Sequence, residues 1–523
     1  MQTKQTLSTN NKLIILYTSD IHGYLFKTNY ITEVDQGLLA YYNYLKEIKK
    51  KYKHVLLIDN GDLIQGSPLT YYLQKNFTNY NPIIGLLNEL DFDILNFGNH
   101  EFNYGLTYLI NSYQQFNGAI LNANIQGMAK YLPVKPYQIY TFNTFKVAVI
   151  SLTTKQIPKW EKPENIKGLQ FRSIIETYQN YEQELQSQAD FIIVLYHGGF
   201  ETSLTNLEEY LETPTGENEA GQLLKQFTSI DLLLTGHQHR NINQIINKVW
   251  CRQTLNNGQN IAQIEIDITT QKVINSLEIT AKEQIVAPSF NYNKILQTLD
   301  YKILEFEQAT QKYLDTVIGT LDKEILVTDL FKTRLNSHPL INLINKIQLS
   351  VTKADISAMS LFDSAVGFKQ EITIRDLIAN YPYPNTLVVL EITKEQLLQA
   401  LEVSASYFIL KNDKIEVNPK FSLPKPQHFH YDMFDGLHYE INLKKAIGQR
   451  VTIKNFINTI DEQKIKLVVN NFRASNYDWY PMYGHAKILE ETSFDMVELL
   501  INYINEHQNL ISDDIPRYTI KKN

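Results

Sequence analysis

Histidines and acidic side chains directly follow several apolar runs in the first 290 residues. The run SIDLLLTGHQHR (229–240) is one case, and it ends in two histidines one residue apart. Imidazole, carboxylate and amide groups supply nitrogen and oxygen ligands without thiolate, a set that suits two divalent ions sharing a carboxylate, as in two-metal hydrolases. The residues that follow apolar runs in this way are Asp20, His22, Asp62, Asn99, His100, His197, His237 and His239.

The apolar runs themselves predict the strands that would position these side chains. Up to about residue 285 they alternate with segments of helical period, which is typical of βαβ units. In open α/β sheets, ligands bind outside the carboxyl ends of the strands. A single histidine after a strand is usually an ordinary loop residue, but the joint pattern favours a dinuclear site. The runs lie at 13–18, 55–59, 93–97, 147–152, 191–196 and 232–236.

The rest of the chain predicts a second domain. The stretch 260–268 alternates like a half-exposed antiparallel strand, and 291–320 keeps a helical period that predicts one long linking helix. Further strands are expected at 386–392, 437–443 and 466–472. We therefore expect an α/β protein with a catalytic domain over 1–288, a linking helix over 289–322 and an α+β substrate-binding domain over 323–523.

Composition narrows the class of partner. The 523-residue chain has a net charge of −7, so no global basic field is available to hold a nucleic acid polymer. Its one cysteine, Cys251, leaves no disulfide or CxxC site within the chain. No apolar run approaches the ~18–20 residues of a membrane helix, and the first residues lack the pattern of a secretory signal. We expect a cytoplasmic protein with a small-molecule substrate and no membrane partner.

Five short motifs, in this order, resemble those of the calcineurin-like metallophosphoesterase family. They are D-x-H at Asp20, G-D at Asp62, G-N-H-E at 98–101, a lone histidine at His197 and G-H-x-H at 236–239. The resemblance implies a four-layer sandwich of two sheets flanked by helices. It implies one metal held by Asp20, His22, Asp62 and His239, and a second held by Asp62, Asn99, His197 and His237. The metals would be Mn²⁺, Zn²⁺, Fe²⁺ or Co²⁺, with a weak preference for Mn²⁺.

The C-terminal half resembles the 5′-nucleotidase family. Several stretches are more similar to its 2′,3′-cyclic-nucleotide 2′-phosphodiesterase/3′-nucleotidase branch: 80–106, 372–393, 401–408, 434–441 and 470–474. That branch has an asparagine three residues after the catalytic histidine, where 5′-nucleotidases have aspartate. His100 and Asn103 fit this pattern, so we expect His100, Asn99 and Asn103 to serve catalysis. An amide at Asn103 would orient the imidazole but add no charge.

The resemblance also implies a nucleoside pocket in the second domain. Bases are held by stacking on aromatic faces. Phe472 in NNFRA is the first expected stacking ring, and Tyr431, or else Phe429, is the second, although an aromatic side chain can equally belong to the core. Arg334 is either a phosphate ligand or an exposed arginine without a role. The remaining expected substrate contacts are Asn385, Asn471 and Asp478, the last in a Ser475–Asp478 loop bulkier than that of many relatives.

The expected reaction is hydrolysis of a nucleotide phosphoester by a hydroxide between the two metals. On a 2′,3′-cyclic nucleotide this would open the ring to a 3′-phosphate, and a second round would release the nucleoside. A 5′-nucleotidase or a broader nucleotide phosphatase or pyrophosphatase could use the same site. A non-catalytic nucleotide-binding protein is a further alternative, but it would be expected to have lost ligands.

Overall fold

The chain forms two compact units, Met1–Gln311 and Lys312–Asn523. The computed structural model describes residues 9–76, 79–211, 214–383, 385–423, 425–475, 478–484, 486–492 and 496–522. Asn476 and Tyr477 of the predicted pocket loop lie outside these ranges. The predicted domain bounds at residues 288 and 322 stay a prediction.

The first unit alternates strands and helices, as the apolar runs predict. Its strands are β1 (Lys12–Thr18), β2 (His54–Asp59), β3 (Ile94–Leu95), β4 (Ala119–Leu121), β5 (Ile125–Gln126), β6 (Val134–Lys135), β7 (Tyr137–Phe142), β8 (Phe145–Thr153), β9 (Gln170–Phe171), β10 (Phe191–His197), β11 (Leu232–Thr235), β12 (Ile242–Ile246), β13 (Val249–Gln253), β14 (Asn260–Asp267) and β15 (Lys272–Thr280). Its helices are α1 (Tyr42–Lys51), α2 (Pro68–Lys75), α3 (Pro82–Glu89), α4 (Gly105–Tyr113), α5 (Ile157–Trp160), α6 (Ile174–Gln188), α7 (Ala220–Gln226), α8 (Ala281–Val286) and α9 (Tyr292–Thr298), with α10 (Tyr301–Leu314) crossing into the second unit.

Two sheets pack face to face in this unit. Among the described residues, one sheet has the strand order β15-β14-β1-β2-β3-β4-β6 and the other β12-β13-β11-β10-β8-β7. Side chains such as Ile15, Ile58, Val149 and Leu234 form a shared core between them. Residues of α6 and α7 pack with the outer face of the second sheet. The predicted metallophosphoesterase sandwich is confirmed.

The site-bearing strands run in parallel, which brings their carboxyl ends to common edges. β1 pairs with β2, β2 with β3, and β10 with β11, each in parallel register. Their near-continuous apolar runs are typical of strands covered on both faces. The polar residues that follow each strand therefore lie at the edge where the ligands of α/β proteins bind.

The predicted half-exposure of β14 is wrong. β14 is antiparallel to β1 as expected, but it is buried along its whole length. Its polar side chains are tolerated because they are paired: Lys12 bonds Glu265, and Tyr44 donates to Gln263.

The predicted linking helix is also not continuous. It is divided into α9 and α10, and the Asp300 carboxylate accepts from the Lys302 amide at the start of the second helix, as a capping residue does. Residues 317–321, at the end of the predicted helix, are a strand that starts with the β-branched pair Val317 and Ile318.

The second unit is a mixture of small sheets and helices. Its strands are β16 (Val317–Leu321), β17 (Ile325–Leu326), β18 (Ile356–Ser360), β19 (Gly367–Phe368), β20 (Glu371–Thr373), β21 (Leu387–Ile392), β22 (Phe408–Lys411), β23 (Lys414–Val417), β24 (Asp432–Asp435), β25 (Leu437–Asn442), β26 (Val451–Phe456), β27 (Ile465–Asn470), β28 (Lys487–Glu491), β29 (Asn509–Leu510) and β30 (Tyr518–Lys521). Its helices are α11 (Leu330–Leu335), α12 (Pro339–Thr352), α13 (Ile374–Asn380), α14 (Lys394–Ala405), α15 (Asn471–Ser475) and α16 (Met496–His507). The largest described sheet has the order β24-β18-β27-β21-β28.

None of the helices in the described ranges combines the length and the apolar character that crossing a bilayer requires.

Candidate metal centre

Loops after β1, β2, β3, β10 and β11 bring the predicted ligands together in two groups. Asp20, His22 and His239 form one group, and Asp62, His197 and His237 form the other, with the potential ligand atoms of each group within 4.8 Å of one another. The two groups adjoin, because His197 Nε2 lies 3.1 Å from Asp62 Oδ2 and 3.9 Å from Asp20 Oδ1.

Asn99 completes the second group. Its Oδ1 lies 2.8 Å from His237 Nδ1. The structure therefore brings all seven predicted ligand residues to one place, and their roles as ligands stay a prediction.

The backbone at five of these residues is in the left-handed region. Asp20, His22, Asp62, His237 and His239 have φ between 52° and 69°. Non-glycine residues rarely adopt such angles, and each costs on the order of 1–3 kcal/mol where it does. Strained backbone of this kind clusters at functional sites, where the surrounding structure holds it in place.

Hydrogen bonds to backbone carbonyls orient two of the histidines. His22 Nδ1 lies 2.8 Å from the carbonyl oxygen of Gln65, and His197 Nδ1 lies 2.8 Å from that of Asn60. A carbonyl oxygen can only accept, so the proton must be on Nδ1 in both rings. Nε2 of each ring then faces the site, and it is the atom that would bind a metal.

Glu101 of the G-N-H-E motif fixes the two loops that carry Asp62 and Asn99. Its buried carboxylate accepts from the backbone amides of Asp62 (2.9 Å), Leu63 (2.6 Å) and Gly98 (2.5 Å). Gly98 leaves no room for a side chain, because an added Cβ would lie 2.2 Å from Asp62 Oδ1 and 2.7 Å from His197 Cε1. The motif thus forms a cradle around Asp62.

The electrostatics of the site call for positive charge. Burial alone would raise the pKa of Asp20, but His239 and His197 lower it to about 2. Burial alone would lower the pKa of His197, but Asp62 and Asp20 raise it to about 10. For His22, burial lowers the pKa to about 4. The two fully buried carboxylates keep their negative charge and draw positive charge towards them.

The donor set fits divalent cations. Asp62 Oδ2 and His197 Nε2 are buried and face each other at 3.1 Å, and neither makes a hydrogen bond of good geometry in the described part of the chain. A buried carboxylate oxygen and a buried imidazole nitrogen that converge in this way are the donor atoms that a divalent ion takes as ligands. Oxygen and imidazole nitrogen without thiolate are suited to Mn²⁺, Zn²⁺, Fe²⁺ or Co²⁺.

His100 stands beside the ligands and is held by a relay that the sequence did not reveal. Its Nδ1 donates to Asn103 Oδ1 at 2.6 Å, and Asn103 Nδ2 donates to Glu161 Oε2 at 2.7 Å. Asn165 Nδ2 donates to the other oxygen, Glu161 Oε1. Asn103 itself adds no charge, as expected, but the Glu161 carboxylate accepts a hydrogen bond from it. Glu161 lies in a loop far along the chain, and no motif spacing predicts its contact with Asn103.

Two further contacts to the ligands were also missed. The Trp160 ring stacks on His237, with centroids 5.7 Å apart and planes at 12°. Glu217 Oε1 lies 2.7 Å from His237 Nε2. Trp160 ends helix α5 and Glu217 lies in a loop, both outside the apolar runs, so the pattern of strand ends could not identify them.

Within the second unit, the expected stacking rings have different surroundings. Phe429 and Phe472 are neighbours, with centroids 6.1 Å apart and planes at 69°. Tyr431 is 1% exposed, and its ring stacks on Tyr407 at 4.6 Å. The structure thus places Tyr431 in the core, because its hydroxyl is also occupied by the carbonyl of Arg334. Phe429 is therefore the better placed of the two alternatives, and the role of either ring in stacking on a base stays a prediction.

Arg334 is not an exposed arginine. It is 3% exposed, and its guanidinium donates to Leu361 O and to Asp363 Oδ1 in the segment 360–367. A role in phosphate binding stays a prediction.

The other expected substrate contacts lie near the ends of β21 and β27. The Asn385 carbonyl accepts from the Met496 amide, the Asn471 amide donates to the Thr386 carbonyl, and Asp478 is exposed. Their roles in binding stay predictions.

Comparison with known proteins agrees with the two units. Residues 13–241 match the family model of calcineurin-like phosphoesterases, and residues 317–485 match that of the 5′-nucleotidase C-terminal domain. A crystal structure of a proposed 5′-nucleotidase from Staphylococcus aureus, in complex with alpha-ketoglutarate, is 34% identical in sequence. The match covers 98% of this chain and 100% of that one, with a TM-score of 0.89.

Curated relatives match over similar lengths. A 2′,3′-cyclic-nucleotide 2′-phosphodiesterase/3′-nucleotidase from Haemophilus influenzae is 25% identical over 94% of this chain and 84% of its own. The protein of the same description from Salmonella typhimurium is 24% identical over 83% of this chain and 74% of its own. The chain therefore belongs to the calcineurin-like metallophosphoesterases of the 5′-nucleotidase family and is a hydrolase of phosphoric esters.

Proposed function

We propose that this protein hydrolyses 2′,3′-cyclic nucleotides to 3′-nucleotides and then releases the nucleoside. The observation that carries the proposal is the presence of two adjoining groups of potential ligands, beside a histidine held by an amide at Asn103. The curated relatives described as 2′,3′-cyclic-nucleotide 2′-phosphodiesterase/3′-nucleotidases support this substrate class.

The proposed ligand sets share Asp62. Asp20, His22, Asp62 and His239 would hold one divalent ion, and Asp62, Asn99, His197 and His237 the other. Such ions, when bound, supply Lewis-acid stabilisation of the phosphoryl charge and a water of lowered pKa. We propose Mn²⁺ or Zn²⁺, with Mn²⁺ the first to test. The cytoplasmic location stays a prediction.

The residues around the ligands orient the substrate and transfer a proton to the leaving oxygen. Glu161 accepts from Asn103 Nδ2, so Asn103 Oδ1 must face His100 and its Nδ1 proton. His100 Nε2 is then the ring nitrogen able to exchange a proton with the leaving oxygen. The neutral Asn103 amide fixes the orientation of the His100 ring through this hydrogen bond and adds no charge to it. Phe472 and Phe429 are proposed to stack on the base.

A 5′-nucleotidase is the second candidate. The proposed 5′-nucleotidase from Staphylococcus aureus is 34% identical over nearly the whole chain, which favours this alternative. The same ligands and His100 would act on a 5′-phosphate. The two candidates differ in the phosphoester that is cleaved, so a direct comparison of substrates separates them.

The test is release of phosphate and nucleoside from 2′,3′-cAMP, 3′-AMP and 5′-AMP, measured side by side. Protein stripped of metal is reloaded with Mn²⁺ or Zn²⁺, and Asp62→Ala serves as the inactive control. Turnover of 2′,3′-cAMP and 3′-AMP with poor use of 5′-AMP is the expected result. Preference for 5′-AMP would favour the second candidate, and no metal-dependent turnover of any of the three would refute both.

A further inference from the structure

His237 is contacted on three sides by side chains from different loops. Its Nδ1 lies 2.8 Å from Asn99 Oδ1, and its Nε2 lies 2.7 Å from Glu217 Oε1. The Trp160 ring lies parallel to its face. This is the reverse of His22 and His197, whose Nδ1 atoms donate to backbone carbonyls and whose Nε2 atoms face the site. Of these three histidines, only His237 is backed by a carboxylate.

The loop that carries Glu217 is built around another buried carboxylate. Glu201 is 2% exposed, and its Oε1 accepts from the amides of Thr215 (3.0 Å), Gly216 (2.9 Å) and Glu217 (3.0 Å). Tyr196 also donates its hydroxyl to the Glu217 carbonyl at 2.8 Å. The backbone of Glu217 is thus fixed by groups other than its own side chain. The fold therefore holds the Glu217 carboxylate next to His237.

We propose that Glu217 is a positioning residue that makes His237 a metal ligand through Nδ1. An ionised carboxylate can only accept, so the proton of the imidazole is held on Nε2. Nδ1 and Asn99 Oδ1, which lie 2.8 Å apart, are then the two atoms that would turn to an ion bound in the group proposed to hold the second metal. A carboxylate behind a ligating histidine fixes the tautomer and raises the basicity of the ligand. The inference rests on the proposed two-metal site, but not on the identity of the nucleotide.

The alternative is an ordinary ion pair between Glu217 and a protonated His237. The His237 and Glu217 side chains are 10% and 26% exposed, so such a pair would act mainly on the stability of the metal-free protein. It would leave the affinity of the site for metal unchanged when Glu217 is removed. The two explanations therefore differ in a quantity that can be measured without a substrate.

The experiment is titration of the metal-free full-length protein with Mn²⁺ by calorimetry, with bound metal counted by mass spectrometry after dialysis. The variants are Glu217→Ala and Glu217→Gln. Glu208→Ala is the matched control, because Glu208 is exposed and pairs with Lys225 instead of a histidine. We expect two ions in the wild type and a ~10–100-fold weaker affinity for one of them in Glu217→Ala. Glu217→Gln should recover most of that loss, since its amide oxygen still accepts from Nε2.

Three results would overturn the inference. They are wild-type affinity for both ions in Glu217→Ala, equal weakening of both ions together with a lower melting temperature of the metal-free protein, and failure of the wild type to bind two ions. Failure of the proposed function looks different, since a protein that binds two ions without hydrolysing nucleotides would refute the function alone. An active enzyme whose Glu217→Ala variant binds metal normally would refute the role of Glu217 alone.

Discussion

The relay His100–Asn103–Glu161 makes a strong prediction about Asn103→Asp. This change introduces the aspartate that 5′-nucleotidases carry at the equivalent position. In this protein the new carboxylate would replace an amide nitrogen that lies 2.7 Å from Glu161 Oε2. Two negative groups would then stand at hydrogen-bond distance. We therefore expect the change to impair the enzyme rather than improve the acid function of His100.

The magnitude follows from the contact that is lost. A hydrogen bond to a charged group contributes about 1.5–3 kcal/mol, and the new repulsion adds roughly 1 kcal/mol at a solvent-accessible site. If all of this acts on the orientation of His100, kcat falls by about 70–900-fold with little change in KM. The kcat of Glu161→Gln should fall by a similar factor. Glu161 accepts from Asn103 through one oxygen and from Asn165 through the other, so a glutamine must turn its NH₂ group towards one of these donors.

The double variant Asn103→Asp/Glu161→Gln restores the relay with its polarity reversed. The new amide can donate to the new carboxylate, while its oxygen still accepts from Asn165. We expect kcat to recover, with a coupling energy of about 1–3 kcal/mol. The assay is kcat and KM on 2′,3′-cAMP for wild type, both single variants and the double variant, with Glu164→Gln on the same turn as control. Losses that simply multiply in the double variant would refute the relay.

Three other predictions concern the ligand cradle, the second unit and the metals. Gly98→Ala should weaken metal binding and turnover, because the added Cβ would lie 2.2 Å from Asp62 Oδ1; unchanged metal content would contradict the proposed cradle. Asp432→Ala should lower the free energy of unfolding of the second unit by about 3–5 kcal/mol, measured in urea, because it leaves buried Arg473 without its ion-pair partner at 2.7 Å. Removal of metal with a chelator should lower the melting temperature, since ions at ~100 times their Kd stabilise the folded state by about 2.7 kcal/mol; Asp62→Ala should show a smaller effect.

The sequence predicts the first unit well and the second unit less well. The strands that bear ligands lie in apolar runs, and each run is followed by a polar residue with metal-binding chemistry, so the strands and the position of the site follow from one pattern. The linking segment was predicted as one helix because α9 and α10 together keep a helical period across the break at Asp300, which caps α10. The burial of β14 was missed because paired polar side chains imitate an exposed face.

The residues behind the ligands could not be read from spacing. Glu161 and Glu217 come from loops without periodic character, and their contacts are set by tertiary packing. The burial of Tyr431 could not be predicted for a related reason, because only the packing of the folded unit separates a ring in the core from a ring in a pocket.

The left-handed backbone at five of the proposed ligands creates a trade-off between the stability of the fold and activity. Glycine adopts such angles freely, whereas aspartate and histidine do so at a cost. A glycine at His239, for example, should give a metal-free protein that is more resistant to unfolding than one with alanine there, although both would lose the ligand. Substitutions selected for heat resistance would therefore remove the proposed ligands, because the changes that relieve the backbone strain also remove the side chains that bind metal.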